Sequence, residues 1–94
     1  MQKDFELEIN GQAARFTART AAGRHVEIYE AGASAPCVVL AEGGGLDRAL
    51  DRLVDNEELI SLAISQVVGH GLIERARETG RPVHEALAFV PNPR

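Results

Sequence analysis

The side chains of this 94-residue sequence best equipped for chemistry are His25, His70, His84 and Cys37. Their spacing decides what they could do. "HEAL" at 84–87 lacks the second histidine of a zinc-binding HExxH helix, and a single cysteine makes no CxxC pair. No metal site is therefore expected. His70 and Glu74, one helical turn apart, suit a surface hydrogen bond. Covalent catalysis needs a nucleophile, a base and an orienting group brought together. Cys37 lies in the apolar run "PCVVLAE", where burial raises a thiol pKa and blunts it. "EGGGLD" at 42–47 could cradle a phosphate at a helix start, but it lacks the Lys-Ser/Thr of a P-loop, and Asp47 would repel an anion. The expectation is a protein that is not an enzyme and carries no cofactor.

Surfaces for partners are better marked. Asp47, Asp51 and Asp55 form an i, i+4, i+8 row continued by Glu58. Such a strip is a solvated face or a dock for a basic protein surface. The latter would suit a phage-type inhibitor that blocks a nucleic-acid-binding host protein. Arg75, Arg77 and Arg81 are interleaved with Glu74, Glu78 and Glu85, which reads as paired surface charge. Ser61, Ser65 and Gly69 repeat at i, i+4, i+8 along an otherwise apolar segment, a row that lets another backbone approach closely.

These groups sit on a chain of one domain's length, divisible into a β-meander over 1–42 and a helical part over 46–90. With 45 % hydrophobic and 26 % charged residues the composition is that of a folded globule. A net charge of −4 disfavours non-specific binding to nucleic acid or an anionic membrane. The lone cysteine fits a reducing compartment, and no apolar run reaches spanning length. A cytoplasmic location is expected.

"DFELEIN" alternates Phe5, Leu7 and Ile9 against Asp4, Glu6 and Glu8, the pattern of a half-buried strand. Asn10-Gly11 supplies the two positive-φ positions of a type I′ turn. That turn pairs Phe5 with Phe16, Leu7 with Ala14 and Glu6 with Arg15. At "TAAGR", a three-residue loop with Gly23 left-handed would set Val26 opposite Ala18 and Ile28 opposite Phe16. One face stays apolar. The other carries Glu6, Glu8, Arg15, Thr17, Arg19, His25, Glu27 and Tyr29. A fourth strand comes next at "PCVVLAE", its register unfixed.

Beyond Gly45 the period is helical. Leu46, Ala49, Leu50 and Leu53 line a short helix, and Asp55 with Glu58 forms a capping box for the next. That helix, "EELISLAISQVVGHGLIERARET", is apolar or small nearly all round, interrupted by Gln66 and His70. It should be buried nearly all round. Gly80 stops it, and Pro82 opens a last helix, "PVHEALAFV". The expected fold is α+β: an antiparallel four-stranded meander followed by two or three helices packed on one face, β-β-β-β-α-α-α.

The stretch ending in Gly80, Arg81, Glu85 and Leu87 resembles the helical half of ribbon-helix-helix antitoxins, over about a third of the chain. The resemblance implies a DNA-binding regulator built on a helix–Gly80–helix corner. Several features depart from that pattern: His84 stands where a small polar residue is usual, and no basic face exists for phosphate. Glycines and an acidic helix stand where the DNA-reading strand belongs, and the last helix is short. The favoured expectation is a non-enzymatic interaction or regulatory protein that binds an unidentified protein partner and forms a homodimer. Its seam would run along Leu59, Ser61, Leu62, Ser65, Val68, Gly69 and Leu72. Contact within the same chain is the competing use of that surface.

Overall fold

The computed structural model describes residues 1–21, 25–42 and 56–87. In chain order these form β1 (Gln2–Ile9), β2 (Gln12–Ala21), β3 (His25–Glu30), β4 (Val38–Glu42), α1 (Asn56–His70), α2 (Leu72–Thr79) and β5 (Val83–Leu87). The strands make one sheet in the order β1-β2-β3-β4-β5. β1 to β4 are antiparallel neighbours, and β5 lies parallel to β4. The fold is α+β, and the described residues form a mixed sheet of five strands and two helices.

The first hairpin is dictated by its turn. Asn10 and Gly11 both have positive φ, at 53° and 80°. They hold Phe5 opposite Phe16, Leu7 opposite Ala14 and Glu6 opposite Arg15, as the alternation requires. The Phe5 and Phe16 rings stack with centroids 5.7 Å apart. Parity also puts the expected face of β3 inward, but the pairing is two residues away from expectation. Ile28 faces Ala18, Val26 faces Thr20 and Glu30 faces Phe16. Alternation fixes which face a strand buries and leaves shifts of two residues undecided. The observed choice sets bulky Ile28 against small Ala18. It also brings Glu30 within 3.1 Å of Arg77 on α2. The loop assigned to Gly23 lies outside the described residues. β4 starts at Val38, pairing Ile28 with Val38 and Val26 with Leu40.

One continuous helix was expected over 57–79, and the chain makes two. Gly71 adopts φ 62°, ψ 39°, in the left-handed region that glycine enters without the Cβ penalty. This break resets the helical phase. At about 100° per residue, an unbroken helix would carry Leu72 and Ala76 round to the side away from Leu59. After the break Leu72, Ile73 and Ala76 join Leu59, Ile60, Ala63 and Val67 in the core against Phe16, Ile28, Val38 and Leu40. The wheel that looked apolar all round therefore belongs to two helices, each burying one side. Ser61, Ser65, Val68, Gly69 and His70 are exposed.

The larger correction falls on "PVHEALAFV". Gly80 ends α2 as expected, with φ 69° and its N–H donating to the Ala76 carbonyl. The chain beyond it forms strand β5 and not a helix. Over five residues Val83 and Leu87 satisfy helical and period-two spacing equally well. The outer edge of β4 decides between them: its backbone groups need partners, and the Val83 N–H bonds the Cys37 carbonyl at 2.9 Å. Residues alternate, so His84 and Ala86 turn their backbone groups away from β4. Gln66, buried on α1, donates its Nε2 to the Ala86 carbonyl at 2.8 Å. That bond fastens the last strand to the helical layer.

Candidate functional site

Three surfaces gather the residues singled out above. The first is the outer side of α1. Its core side is fixed by Leu59, Ile60, Ala63, Gln66 and Val67. Opposite them stand Ser61, Ser65, Val68 and Gly69, all exposed, flanked by half-buried Leu62 and Ile64. Val68 is 51 % exposed and, with Met1, is one of two large hydrophobic side chains exposed among the described residues. Nothing lies within 4 Å of where a Gly69 Cβ would stand, so this glycine leaves room on the outer side. Of the expected seam, Leu59 and Leu72 are fully buried in the chain's own core. Ser61, Leu62, Ser65, Val68 and Gly69 remain within reach of a second molecule.

The second surface is the sheet face turned away from the helices. The register brings Arg19, Glu27 and Tyr29 together there. Arg19 donates to the Tyr29 hydroxyl at 2.8 Å and lies 3.8 Å from Glu27 Oε1. Its guanidinium carbon is 4.5 Å from the Tyr29 ring centroid. The Tyr29 hydroxyl in turn donates to Glu27 Oε1 at 2.9 Å. Beside them Thr17 donates to Asp4 at 2.8 Å, and Arg15 lies 3.6 Å from Glu6. Most polar groups on this face are thus engaged with one another across strands, which stiffens the face.

The third is a cleft of about 280 Å³ between the β3–β4 loop and the α2–β5 turn, lined by Pro36, Cys37, Ile73, Ala76, Gly80 and Arg81 among others. Cys37 is half-buried and its Sγ–H points to the Ile28 carbonyl at 3.4 Å. Burial pushes its thiol above the ordinary value, and the nearby Glu30 carboxylate pushes the same way. Its own backbone hydrogen bond and Arg77 pull it down by less. A thiol held neutral in this way is a poor nucleophile.

Of the remaining sequence candidates, Asp47, Asp51 and Asp55 of the acidic strip lie outside the described residues, as do 43–45 and the short helix over 46–54. Glu58 is exposed on α1. The arginine cluster divides: Arg75 bonds Glu85 at 2.9 Å and Arg77 bonds Glu30 at 3.1 Å. The His70–Glu74 bond does not form, because Gly71 interrupts the helix between them. No helix among the described residues is long and apolar enough to cross a membrane, and no three of their His, Cys, Asp or Glu side chains cluster as metal ligands would. The helix–Gly80–helix corner is replaced by a helix–Gly80–strand connection, so Glu85 and Leu87 lie on a sheet edge. Gln66 is the residue that sequence reasoning passed over. Its signal was present: one amide on an apolar stripe must find a buried partner.

Comparison of the chain with protein-family models, with curated proteins and with solved structures found no match.

Proposed function

We propose that this chain is a small interaction protein without catalytic chemistry of its own, regulating another macromolecule by binding it and associating with a second copy of itself. The observation that carries the self-association is Val68, half in solvent between Ser65 and Gly69 of the small-residue row on α1. The row is self-complementary. A twofold axis beside Ser65 sets Leu62 against Val68 of the second copy, and Ser61 against Gly69. Two apolar side chains then cover each other while the small residues let the helices approach. Antiparallel helices also bring opposite ends of their dipoles together: Glu57 and Glu58 crowd the N-terminal turn of α1, and His70 closes its C-terminal turn.

The test is solution mass with Val68→Asp. Val68 is exposed in the single chain, so the substitution leaves the fold in place and acts on the seam. A wild-type dimer that becomes a folded monomer on substitution supports the reading. A monomeric wild type at all concentrations refutes the twofold seam.

A further inference from the structure

The two edges of the sheet are not equivalent. At β5 the Ala86 carbonyl, turned outward, is already taken by Gln66. At β1 the phase of the hairpin settles which backbone groups face out. Ile9 and Gln12 close a two-residue turn, and the Thr20 N–H bonds the Met1 carbonyl at 3.0 Å. Odd-numbered residues of β1 therefore bond β2, and Gln2, Asp4, Glu6 and Glu8 turn their N–H and C=O groups outward. No backbone partner for these four occurs among the described residues. Among the described residues, the eight-residue edge of β1 is thus open to pairing.

A second copy of β1 is a poor occupant. Faces match in antiparallel self-pairing only when even residues meet even ones. Such registers set Glu6 against Glu6, Asp4 against Glu8, or Asp4 against Glu6. Each places carboxylates directly opposite one another, which destabilises the pair and blunts the edge against its own kind. Among the described residues Asp4 is met only by the neutral Thr17 hydroxyl, and Glu6 lies 3.6 Å from Arg15 with both side chains largely in solvent. The row therefore keeps negative charge that favours a strand with cations at alternate positions. On the helix side, Phe5 and Leu7 are only half-buried at the sheet margin and would be covered by apolar residues of an incoming strand.

We propose that β1 is a docking edge for an extended segment of another protein, pairing antiparallel, with Lys or Arg opposite Asp4, Glu6 and Glu8 and apolar residues opposite Phe5 and Leu7. This assignment deepens the protein-binding reading and rests on it, though not on the α1 seam. Strand addition of this type takes affinity from main-chain bonds and specificity from alternate side chains.

The experiment uses the full chain and capped decapeptides alternating Arg with Val, alongside a control alternating Glu with Val. Isothermal titration and amide hydrogen exchange are the readouts. Expected are saturable, salt-sensitive binding of the Arg peptide only, and slowed exchange at the Asp4, Glu6 and Glu8 amides with His84 and Ala86 unchanged. Glu6→Lys combined with Glu8→Lys should weaken the Arg peptide by about tenfold or more and admit the Glu peptide. Failure of the Arg peptide to bind, equal binding of both peptides, or protection confined to β5 would overturn the assignment. Val68→Asp should leave peptide binding intact, and the β1 double substitution should leave the solution mass intact. Loss of one property without the other separates failure of this edge from failure of the seam.

Discussion

Gly69→Ala should pull the stability of the single chain and the strength of the dimer in opposite directions. In the chain alone, Gly69 lies near the C-terminal end of α1 without positive φ, and an added Cβ meets nothing within 4 Å. Replacing glycine by alanine in a helix then stabilises by about 0.5–1 kcal/mol, the lower figure applying near a helix end. For a chain of this length that is a rise in Tm of about 2–8 °C. In the twofold seam the same methyl points at Ser61 of the second copy, and symmetry applies the crowding twice. Overpacking of close contacts costs about 1–3 kcal/mol, enough to raise the dimer dissociation constant about tenfold or more. Urea unfolding monitored by circular dichroism at high dilution reads the first effect. Sedimentation equilibrium across a concentration series reads the second. A substitution that stabilises the dilute chain and leaves self-association unchanged would refute the close seam. One that destabilises the dilute chain would refute the open space drawn around Gly69.

Gly71→Ala and Gly80→Ala should each cost about 1–2 kcal/mol, because both sites have positive φ while their surroundings leave space for a methyl. Urea midpoints showing no loss at either would contradict the two helix breaks. Gln66→Ala should cost about 0.5–1.5 kcal/mol by removing the hydrogen bond to the Ala86 carbonyl, and should speed amide exchange across β5. Unchanged exchange there would mean that the amide is not what fastens the strand. Cys37 has a folded pKa raised above its unfolded one, so its contribution to stability is complete below the ordinary thiol range and is lost as pH rises through the raised value. The difference in unfolding free energy between wild type and Cys37→Ala should be flat through neutral pH and shrink at alkaline pH. A difference that grew with pH would reverse the assignment.

The parts of the fold that were legible in the sequence are those where one local rule had no competitor. Asn10-Gly11 admits one tight turn, and the alternation on both sides of it leaves one register. Gly80 was readable as a helix end for the same reason. The misreadings arise where two rules agree locally and tertiary context decides. Val83 to Leu87 fits a helix and a strand, and only the unsatisfied edge of β4 selects the strand. Gly71 lies inside an apolar run that fits one continuous helix, yet its left-handed backbone re-phases Leu72 and Ala76 into the core. Among the residues of the expected seam, periodicity alone does not reveal that the chain keeps Leu59 and Leu72 for its own core. The docking edge needed the hydrogen-bond phase of β1 and the capping of β5 by Gln66, neither of which composition reveals.

Whether the outer side of α1 joins two copies of this chain is decided by light scattering after size exclusion. Wild type and Val68→Asp should be compared at matched concentrations and at low and high salt. Circular dichroism would confirm that both are folded. A twofold α1 seam requires a salt-resistant wild-type mass twice that of the chain and a folded Val68→Asp variant of single mass. A wild type of single mass at every concentration, or a Val68→Asp variant that stays dimeric, would contradict it.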